Sequence, residues 1–205
     1  MSSAGRPRRL AADAVERAID RAAGSRAIPG NRLELLFDGP AAFDRMLDLI
    51  DRAEHWVHFD NYIFRDDATG HRFASALMAK ARAGVSVRLS VDWLGSWGTG
   101  RGFWRELTAA GVAVRQFNRP SLTSLPALLS RNHRKLVVAD GRRAVLGGIC
   151  IGDEWAGDPS RRRRPWRDTA ILVEGPAAAA LDQAFATTWA LSGSPVPSGE
   201  SAADV

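Results

Sequence analysis

RNHRKLVVADGRRAVLGGIC, residues 131–150, is the stretch on which the fold and the chemistry both turn. Leu136, Val137 and Val138 read as a buried strand, Asp140-Gly141 as a tight turn, and Ala144, Val145 and Leu146 as the returning strand. If the first strand reaches back to His133, alternation puts His133 and Lys135 on one face and Arg134 on the other. An imidazole and an ammonium directed into the same space suit a phosphate. The first can attack phosphorus or give up a proton, and the second can neutralise the charge that builds.

Outside this hairpin, strands and helices alternate. Strands are expected at 32–37, 56–64, 85–92, 112–117 and 169–175. In the third of these, Val85, Val87, Leu89 and Val91 share one face. Helices are expected at 41–53, 71–83, 102–110 and 176–190, with Gly84 closing the second and Pro176 opening the last. The pattern predicts an α/β sandwich: a mixed, mostly parallel sheet with helices on both faces, to which the hairpin adds an antiparallel pair. Residues 1–27 read as a tail, disordered to about residue 9, followed by a helix over 10–23. Residues 28–191 read as one domain. The small, polar and Pro-rich stretch 192–205 reads as disordered.

Composition narrows the function classes. Lys and Arg outnumber Asp and Glu by 28 to 23, and a net charge of +5 favours anionic partners such as phosphate groups on lipid or nucleic acid. The lone cysteine, Cys150, excludes an internal disulfide and a Cys-based metal cluster. No apolar run is long enough to span a bilayer, and the charged N-terminus lacks the apolar stretch of a signal peptide, so a cytoplasmic location with surface contact to a membrane is expected. His55, His58 and His71 are followed two positions later by Val57, Asp60 and Phe73 rather than by lysine, and read as ordinary surface or core residues.

His133, Lys135 and Asp140, followed after six residues by Gly147-Gly148, resemble the HKD motif and glycine pair of the phospholipase D superfamily. The likeness extends to "NYIFRDDATG", "AGVSVRLSVDWLGS" and "PWRDTAILVEGPAAAAL", and covers roughly residues 28–191. There the chain resembles the first half of a bacterial cardiolipin synthase. The resemblance implies phosphatidyl transfer through a phosphohistidine, with no metal or organic cofactor required. His133 would be the nucleophile and Lys135 the holder of non-bridging oxygens. Asp168 in "WRDT" matches the carboxylate that supports the histidine. Asp140, although part of the motif, is expected to pin the hairpin or pair with a cation. Amides around Gly147 and Gly148 are expected to approach the phosphate, since no Cβ intervenes.

Two departures matter. Cys150 stands where the family has asparagine, and a thiol is a poor donor and acceptor. It either weakens support of the phosphate or is simply packing. The family also needs two motifs facing each other, and this chain carries one. A homodimer, a separately encoded second half, or an inactive half-domain that serves as a binding module are the options. The expected substrate is an anionic phospholipid, and a single-motif nuclease acting on nucleic acid is the alternative. Arg167 and the run Arg161–Arg164 lie just before Asp168, where they could bind an anionic headgroup or phosphodiester. Apolar residues 120–130, with Trp93 and Trp97, could form an acyl-chain or interfacial surface.

Overall fold

The computed structural model describes residues 6–119 and 131–202, in two compact units, Met1–Gly30 and Asn31–Val205. The first holds helix α1 (Arg6–Ala23), which begins four residues before the expected Leu10. The Asp20 carboxylate accepts the Ala27 N–H at 3.0 Å beyond its end. The apolar stretch at 120–130 lies outside the described residues.

The second unit is built on a seven-stranded sheet. Its strands are β1 (Arg32–Phe37), β2 (Trp56–Asn61), β3 (Ser86–Asp92), β4 (Ala113–Phe117), β5 (Leu136–Ala139), β6 (Arg143–Gly147) and β7 (Thr169–Glu174), in the order β1-β7-β6-β5-β2-β3-β4. Helices α2 (Asp38–Asp51), α3 (Ala68–Arg82), α4 (Arg101–Ala109), α5 (Asp153–Ala156) and α6 (Pro176–Ala190) complete it. The sheet is mixed, but antiparallel pairings prevail. Only β2-β3 and β3-β4 are parallel, each joined through a helix, whereas β2-β5, β5-β6, β6-β7 and β7-β1 are antiparallel. The expectation of a mostly parallel sheet is corrected on this point. The hairpin enters at the centre beside β2 instead of closing an edge, and its reversal carries through to β7 and β1.

Each face has its own core. Phe43, Met46 and Ile50 of α2, Phe73 and Leu77 of α3 and Leu107 of α4 cover Val57, Phe59, Leu89, Val137 and Val145. On the other face Ala178, Phe185 and Trp189 of α6 cover Leu136, Val138 and Ala144. The second face is also unusually polar. His58 and Asp182 are fully buried and bonded Nδ1 to Oδ1 at 2.8 Å, and the Arg88 guanidinium reaches both His58 and Glu200. Residues 192–202, expected to be disordered, lie against this network. The Asp182 carboxylate accepts the Ala202 N–H at 2.7 Å, and Ser201 and Ala202 are buried. Interior charges with unfilled hydrogen-bonding capacity hold a segment that its own composition would not order.

Asp140 and Gly141 both take positive φ, 53° and 62°, and the Arg142 N–H closes the turn on the Ala139 carbonyl at 3.0 Å. The Asp140 carboxylate accepts the backbone N–H groups of Glu54, His55 and Trp56 at 2.8–2.9 Å. It thus ties the hairpin tip to the start of β2. Asp140→Ala removes a charged acceptor from three donors and should cost about 2–3 kcal/mol. Denaturant titration should show that loss. Turnover of the folded variant, measured well below its melting point, should stay within about threefold of wild type.

Candidate active site

The site gathers beyond the C-terminal ends of β2 and β3. Residues 131–135 precede β5 instead of extending it, yet the alternation persists. The Arg134 guanidinium turns to the α6 side and donates to the Ala184 carbonyl at 2.8 Å and to the Thr188 hydroxyl. His133 and Lys135 share the other side, where both meet Tyr62. The rings of His133 and Tyr62 lie 4.6 Å apart, and the Lys135 ammonium stands 5.1 Å from the Tyr62 centroid. His133 is exposed while Lys135 is only 5% exposed. Lys135 Nζ donates to the His133 carbonyl at 2.8 Å, which leaves two of its three protons for a ligand. Burial lowers its pKa from the ordinary value, against the fields of Cys150, Asp168 and Asp60.

Two buried carboxylates deliver this segment. Asp92 Oδ2 accepts the Asn132 N–H at 3.0 Å, and Asp60 Oδ1 accepts the Asn132 side-chain amide at 2.5 Å. Burial pushes the Asp60 carboxyl up to about 6, although the Asn132 hydrogen bond acts to lower it. The folded chain therefore holds a proton that the unfolded chain releases near pH 3.8. Asp60's favourable contribution is complete below that pH and lost as the pH rises through about 6. Asp60→Asn keeps an oxygen for Asn132 and cannot ionise. Relative to wild type it should gain on the order of 2–3 kcal/mol between pH 4 and pH 8, read from unfolding midpoints at both. A stability difference that does not change with pH would contradict this.

The glycine pair acts through its lack of side chains. A Cβ on Gly147 would lie 2.4 Å from the Thr169 carbonyl oxygen, and one on Gly148 would lie 2.1 Å from Asp168 Oδ1. Their amides are not aimed at a phosphate, contrary to expectation. Gly147 N–H donates to the Lys135 carbonyl and Gly148 N–H to the Thr169 carbonyl, both at 3.1 Å. The pair instead lets β6 run close enough to β7 to seat Asp168 beside it.

Asp168 Oδ1 accepts the Thr169 N–H at 2.7 Å, while Oδ2 makes no hydrogen bond among the described residues. No hydrogen bond joins Asp168 to the His133 ring among the described residues. Arg167 lies beside Asp168, its side chain exposed. Its Nε donates to Asp38 Oδ1 at 3.0 Å, and the same oxygen accepts the Asp168 N–H at 3.1 Å. Asp38, at φ 63°, is thereby the clamp that fixes the start of β7. Arg161–Arg164 are exposed.

Cys150 is 1% exposed, and burial pushes its thiol pKa up. It lies among the apolar side chains of the face covered by α2, α3 and α4. Cys150→Ala should cost about 1 kcal/mol of stability and change kcat by less than threefold, as paired unfolding and initial-rate measurements would show. His133, Lys135, Gly147, Gly148, Cys150 and Asp168 thus converge, whereas Asp140 sits at the far end of β5. Tyr62, Asn132, Asp60, Asp92 and Asp38 belong to the site or its scaffold and escape a reading from sequence. For Asp60 and Asp92 the signal was a carboxylate in a strand otherwise buried on both faces, whereas Tyr62, Asn132 and Asp38 lie outside the strands and carried none.

Residues 46–189 match the family model described as cardiolipin synthase, PLD-like domain. A cardiolipin synthase of Geobacillus kaustophilus is 38% identical over 156 residues, which are 76% of this chain and 31% of that protein. The major cardiolipin synthase ClsA of Bacillus subtilis is 37% identical over 160 residues, 78% of this chain and 33% of that protein. The chain thus spans about a third of the length of these relatives. In fold it is similar to a phospholipase D family member, Nuc, from Salmonella typhimurium. That likeness has a TM-score of 0.60 at 18% identity and covers 82% of this chain and 100% of that one.

Proposed function

Because the chain belongs to the cardiolipin synthase, PLD-like domain family, we propose that it forms one half of a phosphatidyl-transfer site acting on an anionic phospholipid. The observation that carries this reading is the exposed His133 ring beside the buried Lys135 ammonium, with Asp168 close enough to act on that ammonium. His133 attacks phosphorus, forming a P–N bond as the P–O bond to the departing alcohol breaks. Lys135 holds non-bridging oxygens on which charge grows. Asp168 Oδ2 is the acceptor for the ring's other N–H and stabilises the imidazolium. An acceptor alcohol then attacks phosphorus, the P–N bond breaks and His133 is restored. Water in place of the alcohol gives hydrolysis.

One histidine cannot both attack phosphorus and protonate the alkoxide leaving on the opposite side. A second motif must face the first, and in a preparation of this chain alone a second copy supplies it across a two-fold axis. Mixing wild type with an equal amount of His133→Ala, under free exchange, tests this. Activity per total protein should fall to roughly a quarter of pure wild type, because only wild-type pairs hold both histidines. A value of about half would mean independently working chains.

A further inference from the structure

A groove of about 1350 Å³ lies along α4 and β4, lined by Trp93, Trp97, Arg101, Arg105, Arg115 and Arg119 among others, none of them acidic. Arg115 is committed, donating to the Trp189 and Ser194 carbonyls at 2.7 and 2.8 Å. Arg101, Arg105 and Arg119 are exposed and form no ion pair among the described residues. The N-terminus of α4 has no side-chain cap, so its dipole adds to the positive field. Beside these charges the loop after β3 presents Trp97 at 67% and Leu94 at 45% exposure.

We propose that this groove and the Trp93–Trp97 loop dock the chain on the surface of an anionic phospholipid bilayer. The inference rests on the phospholipid reading above and adds the surface by which the substrate is approached. Arginines with nothing to neutralise them complement anionic headgroups, and indole rings favour the headgroup layer. A nucleic-acid track fits less well. The Trp93 and Trp97 rings meet edge to face, 4.6 Å apart at 78°, and so offer no parallel platform for successive bases, and Leu94 is aliphatic.

The loop is braced to the catalytic segment. Asp92, which holds Asn132, immediately precedes Trp93, and the Ser96 hydroxyl donates to the Tyr62 carbonyl at 3.2 Å while accepting the Phe64 N–H at 3.1 Å. Contact at Trp97 therefore sets the His133 end of the sheet against the headgroups.

The test is co-sedimentation of the full chain with vesicles of phosphatidylcholine and phosphatidylglycerol (7:3), and with phosphatidylcholine alone. Wild type should bind the anionic vesicles and release them as salt rises. Arg101→Gln/Arg105→Gln should weaken binding about twentyfold, and Trp97→Ala several-fold, with unfolding midpoints unchanged. His133→Ala should bind as wild type does, which separates docking from catalysis. Turnover of a short-chain phosphodiester below its micellar concentration should be unchanged in the groove variants, while turnover of vesicle-borne lipid should fall with binding. Vesicle binding that survives these substitutions would overturn the proposal. So would variants that lose single-stranded DNA binding and keep vesicle binding. If wild type alone turns over no substrate, the reading of a site completed by a second copy fails while the vesicle result still decides the docking.

Discussion

His133→Ala should lower turnover of a phospholipid substrate by about 10⁴-fold or more, the scale on which removing a covalent nucleophile acts. The fold should be indifferent to the change. The His133 side chain is exposed, its ring lies against Tyr62, and its carbonyl, the acceptor for Lys135, remains in the variant. Stability within about 0.5 kcal/mol of wild type is therefore expected, and an unfolding curve measured beside the initial rates separates lost chemistry from lost protein. Turnover at the wild-type level in this variant would remove His133 from the mechanism altogether.

Asp168→Asn should cost roughly three to four orders of magnitude, by analogy with the loss of a histidine-supporting carboxylate in other nucleophilic sites. An asparagine Oδ1 can still accept the Thr169 N–H, and the Asp168 backbone remains tied to Asp38 in both directions, through N–H to Oδ1 and through O to the Asp38 N–H at 2.9 Å. The position toward the site becomes an amide donor, which repels the ring N–H it should accept and leaves the imidazolium without its counter-charge. The loss should fall on kcat more than on KM, since that charge develops only as the P–N bond forms. A change below tenfold would show that another carboxylate carries this role.

The hairpin was legible because its signals are local. Apolar runs flank an Asp-Gly turn, and strand alternation alone separates Arg134 from His133 and Lys135, even though the strand itself begins at Leu136. The closeness demanded of Gly147 and Gly148 was legible too, but not its purpose, because the neighbour that needs the space, Asp168, lies some twenty residues on. Strand order was hidden for the same reason. Nothing local tells β5 to pair with β2, and that pairing makes the sheet chiefly antiparallel. The polar positions His58, Asp60, Arg88 and Asp92 showed as mere alternation in their strands. Their burial depends on Asn132, Asp182 and Glu200, partners remote in sequence, and the same partners order the residues up to Ala202.

A phosphohistidine at His133 is the step on which this account stands, and trapping it is the most direct test. Wild-type chain is mixed with an anionic phospholipid in the absence of acceptor alcohol, quenched in alkaline denaturant and digested, and the peptide holding residues 131–135 is weighed. The expected product carries one phosphatidyl group on His133, is lost on acid treatment, and is missing from His133→Ala. Active wild-type protein with no such adduct, or with the group on another residue such as Cys150, would contradict the mechanism.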